Sequence, residues 1–209
     1  MTDEIFESRL RDLVKLQHPY SFRPLIEGTP ASVLLLIGRR KDSPPVDFEI
    51  LMTRRSESLQ KHRGQYAFPG GMHDALDGEI GRPETAIRTA LRETEEEVGI
   101  PHSDVSPIGP LPALWTPSGF QVTPIVAVLD KRIDSVNIRP NAAEIELWFW
   151  CKMSQLQSPG VHHLEDRTMT IEGREQTVPM DVFLVDNHRI WGATAAILKN
   201  FIGRWEKLG

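Results

Sequence analysis

A single cysteine, Cys151, in 209 residues excludes an intrachain disulfide and suits a reducing compartment. No apolar run approaches the ~18 residues that a membrane-spanning helix needs; stretches such as Val33-Leu34-Leu35-Leu36-Ile37 are short. The net charge of −5 gives no general attraction to nucleic acid or to an anionic membrane. Met1-Thr2-Asp3-Glu4-Ile5 lacks the basic start and apolar stretch of a signal peptide, and Lys207-Leu208-Gly209 is not a peroxisomal address. The expectation is a cytoplasmic protein with neither nucleic acid nor membrane as partner. There is no repeat, low-complexity tract or domain linker.

What remains is the composition of a soluble globular chain, 40% hydrophobic and 25% charged, so a core can form without staples. One domain over residues 1–209 is expected, with an N-terminal helical extension over about 1–20. Ile5, Leu10, Leu13 and Val14 recur at helical spacing within residues 3–17. Apolar runs at 32–37 and 48–53 read as strands joined by a polar turn over 39–45. Residues 64–71 read as a strand that ends in a glycine-permitted loop, Pro69-Gly70-Gly71. Further strands are expected at 105–108, 111–115, 122–129 and 144–150, a hairpin over 168–178 turning at Glu172-Gly173, and a helix from 191 on. Interleaved strands and helices predict an α/β class with helices packed on a sheet.

Pro83 opens a helix and Gly99 closes it. Ala86, Ile87, Ala90, Leu91, Thr94 and Val98 form its apolar face. Glu93, Glu96 and Glu97 fall at i, i+3 and i+4, within an arc of about 100° beside that face. Neighbouring like charges there repel by a few tenths of a kcal/mol per pair. Hard divalent cations such as Mg²⁺ or Mn²⁺ prefer carboxylate oxygens and would offset that repulsion. A solvated acidic surface is the other reading of such a stripe.

The surrounding residues decide between the two. Gly78 is followed after five residues by Glu84, and after seven more by Arg92-Glu93-Thr94-Glu95-Glu96-Glu97-Val98-Gly99-Ile100. This resembles the Nudix box at every charged and glycine position, with Thr94 where an aliphatic residue is usual. Seven matched positions at about one in 15 each make a chance match in one chain of order one in a million. The resemblance implies a Nudix α/β/α sandwich, a mixed sheet between helices with the box as a loop–helix–loop. It also implies metal-dependent hydrolysis of a diphosphate. Glu93, Glu96 and Glu97 correspond to the metal-binding glutamates, and the carbonyl of Gly70 or Gly71 is a candidate addition to them. Arg92 and Glu84 correspond to a salt-bridged pair that orients the glutamates, and Gly78 to the glycine of the turn into the helix. Gly99 closes the box. Homodimerisation is compatible with the family.

Upstream, Leu51-Met52-Thr53-Arg54-Arg55-Ser56, then Leu59-Gln60-Lys61-His62-Arg63-Gly64 and Phe68-Pro69-Gly70-Gly71, resembles the signature of the coenzyme A pyrophosphatase branch. Gln60 stands where that pattern has a basic residue, with Lys61 beside it. Trp115-Thr116-Pro117-Ser118-Gly119-Phe120 and Ile190-Trp191-Gly192-Ala193 are similar to the same branch. The implied substrate is coenzyme A, cut to 3′,5′-ADP and 4′-phosphopantetheine. ADP-ribose, a nucleotide sugar, or a non-catalytic ligand-sensing role are the alternatives. Arg54, Arg55, His62 and Arg63, with Lys61, form the densest basic cluster and are the expected substrate-binding residues, suited to a phosphate. Exposed loop charge is the plainer reading of them.

For the catalytic base, Glu144, at the start of the strand over 144–150, and Glu96 within the box are the candidates; Glu146 shares the face of Glu144 if that segment is a strand. Trp148, Phe149 and Trp150 read as packing. His162-His163 reads as loop, and Cys151 is not a nucleophile candidate.

Overall fold

The computed structural model describes residues 3–16, 28–41, 44, 47–171 and 173–209. The chain runs α1 (Asp3–Lys15), β1 (Thr29–Gly38), β2 (Glu49–Arg55), β3 (Tyr66–Ala67) and β4 (Gly70–Met72). It continues through α2 (Pro83–Val98), β5 (Val105–Pro110), β6 (Leu114–Trp115), β7 (Phe120–Leu129) and β8 (Ile145–Lys152). The last elements are α3 (Met153–Leu156), β9 (His162–Ile171), β10 (Arg174–Val185), β11 (His188–Trp191) and α4 (Gly192–Lys207).

The main sheet is mixed. β1 pairs parallel with β7, and its pairings with β2 and β4 are antiparallel. Strand parity divides the core. Leu35 and Ile37 of β1 face one cluster, which includes Phe6, Phe48, Phe201 and Trp205 from α1, α4 and the approach to β2. Leu34 and Leu36 face the other, beneath Ala86, Ala90 and Val98 of α2. A strand buried on both faces needs a continuous apolar run, which is why 33–37 carries no polar alternation. This is the expected sandwich, with α1 and α4 on one side of the sheet and α2 on the other.

β2 meets β1 at only two registers, Ile37↔Ile50 and Gly38↔Glu49, and then follows β8 from Glu49 to Arg55. β4 takes the other half of β1, at Ala31 to Val33. The sheet therefore splays between β2 and β1. A second sheet, β11-β10-β9, stands beside it.

Several boundaries differ from expectation. Of the strand expected at 111–115 only Leu114–Trp115 forms, as β6; β5 runs on to Pro110, and Leu111 between them is buried in the core. The strand over 64–71 is β3 and β4, separated at Phe68-Pro69. The hairpin is longer than expected, and His162-His163 begin β9 instead of lying in a loop. At its turn Gly173 has φ +75, while Glu172 lies outside the described residues, as do Gln17 and parts of the 39–45 turn.

Candidate active site

Pro83 supplies a preset φ at the first position of α2, and Gly99 ends the helix in the left-handed region at φ +71, its N–H donating to the Glu95 carbonyl. Thr85 and Thr89 join the apolar face. Thr94 is buried in the middle of that face, its hydroxyl donating to the Ala90 carbonyl at 2.7 Å. The helix thus presents one edge, bearing the glutamates, to β4 and the splay.

Glu97 is only 2% exposed. It accepts from the Gly70 N–H at 3.1 Å and from Arg55 Nη1 at 3.2 Å. Burial pushes its carboxyl up to about 7; the charges of Glu93 and Glu144 add to the rise, against Arg55 and the Gly70 N–H. Burial also raises the Glu93 carboxyl, opposed by Arg92. Gly71 lies close under the glutamates: a Cβ there would lie 2.4 Å from the Glu93 carboxyl carbon and would push that side chain aside.

The expected Arg92–Glu84 salt bridge is replaced by a different one. Arg92 holds Asp77 with two parallel bonds, Nε to Oδ1 and Nη2 to Oδ2, both 3.0 Å. Glu84 is exposed in the first turn of α2, with no ion pair among the described residues. Asp77 is 4% exposed and also accepts from the Asp74 N–H and the Thr89 hydroxyl. Burial opposes its charge, yet these donors, led by Arg92, hold the carboxyl down at about 2. Arg92 is raised in turn, Asp77 being the main cause. From that anchor Arg92 reaches Glu93 at 2.9 Å and Glu96 at 3.1 Å. Asp77 was missed in the sequence, although Asp74 and Asp77 stand three apart as a capping box does. Gly78 follows that turn at φ +115.

The segment between β7 and β8 is tied to the same helix. Arg139 and Asn141 donate their N–H groups to the Val98 and Glu97 carbonyls, both at 2.9 Å, using acceptors that a helix C-terminus leaves free. Asn141 Nδ2 then holds Glu144 at 3.0 Å. Glu144 precedes β8 and lines the same cleft as Glu93 and Glu97.

That cleft, about 740 Å³, opens where β2 leaves β1. It divides the expected basic cluster. Arg55, Lys61 and His62 line it; Arg54 and Arg63 do not. Adjacent strand residues face opposite ways. Arg54 goes to Glu57 at 2.8 Å and Glu146 at 2.9 Å, beside a register shift between β2 and β8 that turns Arg55 toward Glu97. Glu146 is thereby engaged outside the cleft. His62, at φ +55, bonds Gln65 at 3.1 Å. Glu96 is exposed, paired with Arg92, and absent from the cleft lining. The sequence reading also left out the far wall: Arg167, Met169 and Met180 of the β9–β10 hairpin, and Trp191. Only hairpin register places them there.

The remaining residues are structural. Trp148 and Trp150 pack on the α2 side, and Phe149 stacks on His188 with ring centroids 4.1 Å apart. Cys151 is buried, its thiol pushed up to about 12 mainly by that burial.

A family model described as the NUDIX domain matches residues 29–171. The chain belongs to the Nudix hydrolase family. Nudix hydrolases act on phosphoanhydride bonds, bind small-molecule diphosphates and generally use divalent metal ions. An "Uncharacterized Nudix hydrolase NudL" of Photorhabdus laumondii is 39% identical over 149 residues, 71% of this chain and 73% of that protein. The protein of the same name in Pectobacterium atrosepticum is 36% identical over 184 residues, 88% of this chain and 86% of that one. In fold, the chain is similar to a MutT/nudix family protein of Enterococcus faecalis, with a TM-score of 0.52 at 14% identity over 99% of this chain and 75% of that one. Among the described residues no helix is long and apolar enough to cross a membrane.

The donor set of this Nudix site fits a hard cation. Glu93, Glu97 and Glu144 share one lining; the charge of Glu144 raises the carboxyls of both Glu93 and Glu97, and that of Glu93 raises Glu97, which is charge density that a divalent cation relieves. They are not a closed cage: among the described residues no three His, Cys, Asp or Glu side chains are grouped as ready metal ligands. Arg92 draws Glu93 and Glu96 to one side and Arg55 draws Glu97 to the other.

Proposed function

We propose that this Nudix hydrolase cuts the diphosphate of coenzyme A, or of its thioesters, to 3′,5′-ADP and the 4′-phosphopantetheine portion. One observation carries the reading: a single cleft holds Glu93, Glu97 and Glu144 together with Arg55, Lys61 and His62, and is large enough for an extended nucleotide. The 51–71 signature supports the choice of coenzyme A. Residues 1–209 act as one domain in this reading, in the cytoplasm and, by analogy with the family, as a homodimer.

Mg²⁺ or Mn²⁺ would be held by Glu93, Glu97 and the Gly71 carbonyl, and by Glu96 once it turns from Arg92. Bound there, the cations supply neutralisation of the charge that develops on the diphosphate and a more acidic attacking water. Glu144 takes the proton from that water as its oxygen bonds to phosphorus and the bridging P–O bond breaks. Asn141 orients Glu144 for this. Arg55 and Lys61 bind phosphate oxygens, and Arg92 keeps Glu93 directed at the cleft.

Glu144→Gln should lower kcat by ~10²-fold or more with little change in KM, while Glu146→Gln leaves turnover unchanged. The reverse pattern in steady-state kinetics would remove Glu144 from the mechanism. With either metal, kcat/KM for coenzyme A should exceed that for dephospho-coenzyme A by ~10-fold or more, because the cation that pairs with the 3′-phosphate is left without a partner by the smaller substrate. Equal values argue against a 3′-phosphate site, and faster turnover of ADP-ribose or a nucleotide sugar would replace coenzyme A as the substrate. No turnover of any diphosphate would favour a ligand-sensing role.

A further inference from the structure

The wall of the cleft contributed by the second sheet has no role in the chemistry above. Strand pairing places Arg167 opposite Val178, Met180 opposite Glu165 and Val182 opposite Trp191. By the period of two, Glu165, Arg167, Met169, Met180 and Trp191 all project from one face. The charges on that face are unevenly matched. Glu165 is bound by Arg189 and, at 3.0 Å, by His163. Arg167 has no carboxylate partner among the described residues; its guanidinium carbon lies over the Trp191 ring, 4.2 Å from the centroid.

Stacking uses the π face of a guanidinium and leaves its in-plane N–H donors free. Arg167, exposed to solvent, therefore rests on Trp191 with no hydrogen-bond acceptor for its N–H groups among the described residues, and it lines the cleft beside two methionines. The other arginines of the cleft are engaged: Arg55 with Glu97, and Arg92 with Asp77, Glu93 and Glu96. A planar fork with free parallel donors matches two oxygens of a phosphate monoester.

We infer that Arg167, positioned by Trp191, is the specificity residue for a phosphate monoester on the substrate, separate from the diphosphate that is cut. The inference rests on the coenzyme A reading for the identity of that group, its 3′-phosphate. It does not depend on that reading for the existence of an anion site.

Two measurements separate the inference from the reading beneath it. Calorimetry compares 3′,5′-ADP with 5′-AMP on the wild-type protein, on Arg167→Gln and on Arg167→Lys. The wild type should bind 3′,5′-ADP ~10-fold or more tighter than 5′-AMP. Arg167→Gln should abolish that preference, and Arg167→Lys, a cation without the fork, should restore only part of it. No preference in the wild type, or an unchanged preference in Arg167→Gln, overturns the inference whatever the protein hydrolyses. In kinetics, the ratio of kcat/KM for coenzyme A over dephospho-coenzyme A should fall ~10-fold in Arg167→Gln, through KM. An equal fall for both substrates makes Arg167 merely structural and also overturns the inference. Intact discrimination between the two nucleotides with no hydrolysis of coenzyme A removes the coenzyme A reading and leaves the phosphate site standing.

Discussion

Glu97→Gln should reduce turnover at least ~10²-fold and, at pH 8 without metal, make the protein more stable. Both effects have one origin. Glu97 is buried beside Glu93 and Glu144, and its carboxyl is pushed from 4.5 up to about 7. A carboxyl whose pKa rises on folding makes the native state hold a proton that the unfolded chain releases. Stability from that proton is full below pH 4.5 and falls as pH rises through about 7. The span corresponds to at most about 3 kcal/mol. The amide variant cannot ionise, so it escapes this loss while still offering an oxygen to the Gly70 N–H. Its metal-free melting temperature at pH 8 should exceed that of the wild type by about 5 °C. Added Mg²⁺ or Mn²⁺ should stabilise the wild type more than the variant, because only the wild type presents the full charge. Undiminished turnover, or a lower melting temperature at pH 8, would refute the assignment of Glu97 to the metal site.

The second large effect is expected at Asp77. Asp77→Ala leaves Arg92 without its two-bond partner and empties the acceptor used by Asp74 and Thr89. Removing one member of a largely buried pair costs about 3 kcal/mol. Arg92, released, is free to fold over Glu93 and Glu96, so activity should fall ~10-fold or more. The pH dependence has the opposite sign to that of Glu97. The Asp77 carboxyl is lowered from 3.8 to about 2, so its stabilisation is present above pH 3.8 and lost as pH falls through 2. The variant should accordingly show a shallower loss of stability in acid denaturation between those values. Glu84→Ala is the control. That exposed residue should change stability by no more than about 0.5 kcal/mol and leave turnover intact. If Glu84→Ala proves the more damaging, the Asp77–Arg92 anchor is not what orients the site.

Both results bear on how much a sequence discloses. The helix over 83–98 was legible because its signals are local: Pro83 at the start, Gly99 at the end, and glutamates at i, i+3 and i+4. The partner of Arg92 was not. Matching the box supplied Glu84, eight residues back along the same helix, whereas the charge that Arg92 meets comes from a turn outside it. Proximity along a helix says which side chains share a face. It does not say which loop packs on that face.

The basic cluster is a similar case. Arg54 and Arg55 are equivalent in composition and adjacent in sequence, and a strand sends them opposite ways. Which of the two enters the cleft depends on where β8 pairs and where its register shifts.

By itself, then, the sequence determined the family, the class of reaction and the glutamate helix. Each is written in residues a few positions apart, where backbone geometry alone sets the spacing. The tertiary structure decided that Arg92 answers to Asp77, that Arg55 and not Arg54 meets Glu97, and that Arg167 and Trp191 face the glutamates' cleft. Those pairs are separated by 15, 42 and, for the hairpin, tens of residues. Their contact follows from sheet pairing and packing, which no local spacing encodes.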